Sequence, residues 1–208
     1  GSRMRFVRLE SKPMPKHVIT RDDILAPAAY AAVRRAKRQE MTNLKRPRRL
    51  AVGPVATFYF ENYDTMWFQI HEMLAIEGGG EAQIPDELQA YNPLVPQGRE
   101  LVATVMFEID DPDRRKLFLG RLGGVEECMV MEIDGETIKG WSEQAVARTN
   151  EEGKASSVQF VHFEFTAAQI AKFRRPGARV MVGIQHPHYG HMAILPEASR
   201  SALAADFD

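Results

Sequence analysis

Three of the six histidines in this 208-residue chain fall within six consecutive positions, His186-Pro187-His188-Tyr189-Gly190-His191. Imidazole is the commonest side-chain metal ligand and the usual proton carrier near neutral pH, so the cluster is a candidate for metal or acid–base chemistry. Val180-Met181-Val182-Gly183-Ile184 precedes it and Met192-Ala193-Ile194-Leu195 follows, the pattern of two apolar strands joined by a turn built on Pro187 and Gly190. A four-residue loop sets His186 opposite His191, with Cβ atoms roughly 4.5 to 5.5 Å apart. Both then end the face that carries Val182, Ile184, Ala193 and Leu195, while His188 points from the turn. Two such nitrogens plus a carboxylate such as Glu72 form the ligand set of a zinc or iron site with open positions. A metal-free acid–base or small-molecule site, with Tyr189 among its ligand-binding candidates, and a purely structural hairpin tip fit the same residues. No His-Glu-x-x-His helix supports the metal reading.

A second constellation lies near residue 70. Met66, Trp67, Phe68, Ile70, Met73, Leu74 and Ile76 cover most of the circumference of a helix spanning about Asp64 to Glu77, which predicts burial nearly all round. Thr65, Gln69 and Glu72 follow at i, i+4 and i+7 on one face, with Glu61 and Asn62 immediately before the helix. A carboxylate in apolar surroundings must be paired, hydrogen-bonded or protonated. Two readings stay open: Glu61, Asn62, Gln69 and Glu72 line a ligand pocket, or the row is a narrow solvent face or a polar network satisfied by the basic segment upstream. On the pocket reading, Glu72 touches at least one of Glu61, Asn62, Gln69, His186 and His191. His71, among Trp67, Ile70 and Leu74, reads as a hydrogen-bonded core histidine rather than a ligand.

The elements that must position these groups follow from periodicity and punctuation. Thr20-Arg21-Asp22-Asp23 has capping-box character and predicts a helix or helix pair to about Asn43, interrupted near Pro27 and ended by Pro47. Leu50 to Phe60 reads as a strand pair or bent strand broken at Gly53-Pro54. Gly78-Gly79-Gly80 stops the helix after Asp64, and Ile84 to Tyr91 forms another with Pro85 in its first turn. Strands are predicted at Glu100 to Ile109, Glu127 to Ile133, Glu136 to Gln144 and Ser157 to Phe165, then in the histidine hairpin, with Asp134-Gly135 as a two-residue turn. Short helices are predicted at 112–122, 167–174 and 196–205. Helices in front and strands behind predict an α+β fold, a mostly antiparallel β-sheet with N-terminal helices packed against it.

Composition narrows the class. With 44% hydrophobic and 26% charged residues the chain can bury an ordinary core, and no run approaches the ~18 apolar residues of a membrane span. No charged start followed by an apolar segment signals secretion, so a cytoplasmic location without membrane association is the expectation. Cys128 is alone, which rules out an internal disulfide or a cysteine-rich zinc or iron–sulfur site in this chain, and it reads as a buried strand residue. Gly1-Ser2 resembles a cloning remnant; residues 1–17 are expected to be a flexible start and 18–208 a single α+β domain. The glycine clusters at 78–80 and 120–124 lack a phosphate-binding framework, and no nucleophile-elbow or kinase motif is present.

Charge is unevenly distributed. Residues 1–49 hold 14 of the 27 Lys/Arg and 4 of the 28 Asp/Glu, leaving 13 against 24 in the remainder. The basic helical segment, 18–49, is therefore expected to dock on its own acidic body or on that of a second copy in a homodimer. Arg34-Arg35-Ala36-Lys37-Arg38 and Lys45-Arg46-Pro47-Arg48-Arg49 could contact phosphates, yet no base-reading motif accompanies them, and nucleic-acid binding ranks last.

Several stretches resemble one bacterial family, the domain of unknown function numbered 3501. They are Ile19-Thr20-Arg21-Asp22-Asp23-Ile24-Leu25, Phe60-Glu61-Asn62 through Asp64-Thr65-Met66-Trp67 to Gln69 and Glu72-Met73-Leu74, then Tyr91-Asn92, Glu100-Leu101 and His186-Pro187-His188-Tyr189. The resemblance runs from about residue 18 to the C-terminus. It implies a bacterial cytoplasmic protein whose genes often neighbour those for rubrerythrin and an iron–sulfur oxidoreductase, hence a functional association with them and an accessory role in redox or oxidative-stress chemistry. It supplies no active site to carry over. The favoured expectation is a polar pocket between the Thr65 to Glu77 helix and the histidine hairpin, holding iron, zinc or a small molecule. The rivals are a non-catalytic interaction module, acting as a homodimer or on an acidic partner, and a nucleic-acid binder.

Overall fold

The computed structural model describes residues 13–142 and 154–208. Among them run eight strands: β1 (Arg49–Val52), β2 (Ala56–Glu61), β3 (Glu100–Phe107), β4 (Met129–Ile133), β5 (Glu136–Lys139), β6 (Val158–Glu164), β7 (Val180–His186) and β8 (Tyr189–Ile194). Six α-helices accompany them: α1 (Pro27–Lys45), α2 (Tyr63–Glu77), α3 (Ile84–Tyr91), α4 (Pro112–Gly120), α5 (Ala167–Arg174) and α6 (Glu197–Ala204). The strands form two antiparallel sheets, ordered β1-β2-β3-β6 and β5-β4-β7-β8. The fold is α+β, as the order of sequence signals predicts.

Alternation along each strand sorts its side chains into two faces. In β2, Phe58 and Phe60 enter the space between the sheets, where they join Leu101 and Val105 of β3 and meet Met131 of β4 and Val182 of β7 in the main apolar core. Thr57, Tyr59 and Glu61 consequently take the opposite face, beside Val102, Thr104 and Met106 of β3 and Phe160 of β6. There a second apolar cluster, including Ile19, Met66, Ile70, Leu94 and Val102, fastens the helices to the sheet. Glu61 lies at the junction of sheet and helical layer.

Local signals account for the helix ends. Pro27 starts α1 instead of interrupting it, because proline's fixed φ suits the first helical turn; the Thr20 unit closes only a 3-10 turn, Arg21–Asp23. The cap of α2 is Asn62, one position before the helix. Its Oδ1 accepts the Thr65 backbone N–H at 2.9 Å, and Thr65 Oγ1 accepts the Asn62 N–H at 2.9 Å. At the other end Gly78 adopts φ 63°, a conformation that penalises any Cβ. Burial of α2 is close to complete from Thr65 to His71, but its last turn reaches solvent, with Ile76 69% exposed. Asp134 and Gly135 both take positive φ, 49° and 81°, as the tight turn between β4 and β5 demands. β5 is shorter than the predicted strand; residues 143–144 of that prediction lie outside the described residues.

Arg48 locks the end of β2 in place. Its guanidinium donates to the carbonyls of Phe60, at 2.9 Å, and Glu61, at 3.2 Å, and pairs with Asp206 beyond α6. Both members of this ion pair are buried, so each depends on the other for compensation. No helix among the described residues is long and apolar enough to cross a membrane.

Candidate functional site

The histidine hairpin is tighter than the sequence suggests. β7 and β8 are joined by the two residues Pro187-His188, so His186 faces Tyr189 while His191 faces Ile184. Gly190 belongs to the strand, opposite Gln185, and the expected four-residue loop is not formed. The register follows from Tyr189: its buried hydroxyl donates to the Val52 carbonyl and accepts the N–H groups of Val55, at 3.2 Å, and Ala56, at 3.0 Å. Satisfying three backbone groups of the β1–β2 turn requires Tyr189 in the strand, and this engages its hydroxyl with the backbone.

His186 has no nitrogen to spare. Its Nε2 donates to the Gly123 carbonyl at 2.9 Å and its Nδ1 accepts the His188 backbone N–H at 3.1 Å, which defines one neutral tautomer. His191 is exposed and lies over Gly53, where an added Cβ would come within 2.5 Å of the imidazole ring. The third member of the expected iron or zinc set, Glu72, is engaged elsewhere. His186, His191 and Glu72 are thus not brought together, and among the described residues no group of three or more His, Cys, Asp or Glu is arranged to hold a metal ion. Cys128 is half-buried, its Sγ 3.4 Å from the Gly124 carbonyl, and burial pushes its thiol up, away from nucleophilic use.

On α2 the polar row divides. Glu72 turns to the basic helix: it accepts from the Tyr30 hydroxyl at 2.8 Å, from Arg34 Nε at 2.9 Å and from Arg38 at 3.3 Å. Burial alone would raise its carboxyl, but these hydrogen bonds outweigh it and hold the group below the usual carboxylate range. The expected contacts of Glu72 with Glu61, Asn62, Gln69 or the hairpin histidines are replaced by this α1 network, because three complementary donors lie within reach on one helix face. His71 beside it is a core histidine: Nδ1 donates to the Trp67 carbonyl at 2.7 Å, Nε2 accepts the Leu25 N–H at 3.0 Å, and burial lowers its proton affinity. Asn62 and Thr65 are consumed by the helix cap.

Glu61 and Gln69 remain, and they share a cavity. It has a volume of about 470 Å³ and opens on the outer face of the first sheet, between β2, β3 and β6 on one side and α2 and α3 on the other. Met66, Leu94, Met106 and Phe160 give it apolar walls; Tyr59, Thr104, Gln69, Tyr91 and Lys45 supply polar atoms. Gln69 Nε2 donates to the Tyr91 hydroxyl at a long 3.4 Å. Glu61 is only 9% exposed, yet its carboxyl makes no hydrogen bond or close ion pair among the described residues. Burial pushes it up to about 7, against the pull of the Lys45 and Arg48 charges. A buried acid that changes protonation near neutrality, inside a cavity with apolar walls, can accept or donate a hydrogen bond and can move a proton.

Residues 18–207 match the family described as "Protein of unknown function (DUF3501)". The chain belongs to that family. A crystal structure of a protein of unknown function from Burkholderia pseudomallei is 36% identical, with a TM-score of 0.84, over 92% of this chain and 100% of that one. No curated protein matches the chain.

Of the cavity's lining, sequence reasoning missed Tyr59, Tyr91, Thr104, Met106 and Phe160. One signal was available for Tyr59: Thr57-Phe58-Tyr59-Phe60-Glu61 alternates, so its polar members face away from the core together. Thr104 and Met106 share a face of β3 by the same alternation, but no local pattern joins them to Tyr91 or Phe160.

Proposed function

We propose that the protein binds a small organic molecule in the Glu61 cavity, with Glu61 as the hydrogen-bonding or acid–base group that the ligand meets. The observation that carries this reading is that Glu61, a buried residue whose carboxyl has no hydrogen-bond partner among the described residues, lines a cavity of about 470 Å³. A structural carboxylate so placed would be paired, as Glu72 is, or replaced by a neutral side chain; leaving it unpaired disfavours the folded state and calls for another explanation. The size falls in the range of small-molecule sites, and the balance of apolar wall and few polar atoms suits an amphipathic ligand.

The redox accessory role and the homodimer rank below this reading, since no cluster of the described residues carries them. The test is ligand capture. Protein equilibrated with the small-molecule fraction of a bacterial extract is washed and denatured, and the released compounds are identified by mass spectrometry for wild type and for Glu61→Gln. A compound enriched by wild type and lost with the variant is expected; identical profiles would remove the proposal.

A further inference from the structure

We infer that the head group received by Glu61 is a neutral, planar heterocycle presenting two adjacent N–H donors, such as the cyclic amide–amine edge of a guanine- or pterin-like ring. This deepens the Glu61-cavity reading and rests on it. The argument begins with the number of lone pairs. An ionised carboxylate has two oxygens, both here without a hydrogen-bond partner among the described residues, and a single donor would leave one of them without a protein or ligand partner. Two parallel N–H groups satisfy both at once, as in bidentate recognition of carboxylates.

Charge then selects among donor pairs. A guanidinium or amidinium has the right fork, but Glu61 already feels the positive charges of Lys45 and Arg48. A further cation would be repelled by Lys45, the Arg48 charge being offset by Asp206, whereas a neutral donor pair meets the same carboxylate without that cost. Shape points the same way. Phe160, Met106, Met66 and Leu94 offer apolar and polarisable surface to a flat ring, and Gln69 and Tyr91 stand at its edge as further hydrogen-bonding groups. The charged and titratable groups that share the cavity are Lys45 of α1, Arg48 with its partner Asp206, Tyr59 of β2 and Tyr91 of α3.

Guanosine and inosine separate the idea from its neighbours, because they differ by the exocyclic amine that completes the donor pair. Affinities are measured by calorimetry or ligand-observed NMR for wild type and for Glu61→Gln, with thermal unfolding as the check that the variant is folded. Guanosine should bind wild type at least tenfold more tightly than inosine, and the variant should reduce that preference to less than twofold. Because the donor pair needs the ionised carboxylate, guanosine affinity should rise roughly tenfold between pH 6 and pH 8. Equal or better binding of inosine, or affinity that falls over that range, would indicate a lactam edge on the protonated acid and overturn the class. Tighter binding of benzamidine than of guanosine would overturn it in favour of a cation, and failure of all three compounds to bind would overturn it outright. A compound captured from extract by wild type but not by Glu61→Gln would, in those cases, leave the cavity reading intact while this ligand class falls.

Discussion

Glu61 and Glu72 flank the buried part of α2 and have opposite surroundings. The side chain of Glu72 is 13% exposed and is met by a phenol and two guanidiniums from α1, so its charge is favoured. Glu61 is buried, meets two positive charges only at a distance and has no hydrogen-bond donor among the described residues, so its charge is disfavoured. What separates a structural acid from a candidate working acid is whether the fold supplies partners, and here the difference between 4.5 and about 7 corresponds to a destabilisation on the order of 3 kcal/mol above neutral pH.

The largest test of that contrast removes the compensated member. Glu72→Ala leaves Arg34, Arg38 and the Tyr30 hydroxyl facing one another without their common acceptor, and should lower stability by about 2 to 4 kcal/mol in urea unfolding. Glu61→Gln should act in the opposite direction, raising stability at pH 8 by about 1 to 2 kcal/mol, since a neutral amide is less costly to bury than a carboxylate. Equal losses from both substitutions would erase the distinction.

The two acids should also give opposite pH slopes. Glu61 is raised in the folded state, so folding retains a proton that the unfolded chain releases; its unfavourable contribution grows as pH rises from 4.5 to about 7 and is constant above. The Glu61→Gln advantage should therefore be present at pH 8 and vanish near pH 4.5. Glu72 is depressed, so its stabilising contribution is present above 4.5 and is lost as pH falls toward its folded value. Unfolding midpoints from about pH 2.5 to pH 8 for wild type and both variants would show whether the slopes diverge, that of Glu72 below 4.5 and that of Glu61 between 4.5 and about 7.

Smaller effects sharpen the account of the Glu72 network. Tyr30→Phe removes one hydrogen bond from an acceptor that keeps both arginines, and should cost about 1 kcal/mol. Arg38→Ala, at a side chain 62% exposed, should cost less than about 0.5 kcal/mol and depend on salt. A larger loss for Arg38→Ala than for Tyr30→Phe would mean that charge, rather than the buried hydroxyl, dominates the cluster.

What was readable in the sequence is what is local. The bounds of α3, the Gly78 stop of α2, the Asp134-Gly135 turn and the common face of Thr65, Gln69 and Glu72 all follow from periodicities of two and 3.6 residues and from the backbone freedom of glycine, which neighbouring residues alone decide. Tertiary structure decided the rest. Pro187 and Gly190 look alike as turn residues, and only the docking of the Tyr189 hydroxyl on the β1–β2 turn pulls Gly190 into the strand and separates His186 from His191 by register. Glu61 and Glu72 are likewise the same residue type; one became an ion-pair acceptor because Tyr30 and Arg34 arrive from about forty positions upstream, and the other has no hydrogen-bond partner among the described residues in a cavity that distant segments wall with Met106, Leu94 and Phe160. A side chain's role is set by the donors, charges and dielectric around it, and those come from residues that only folding brings near.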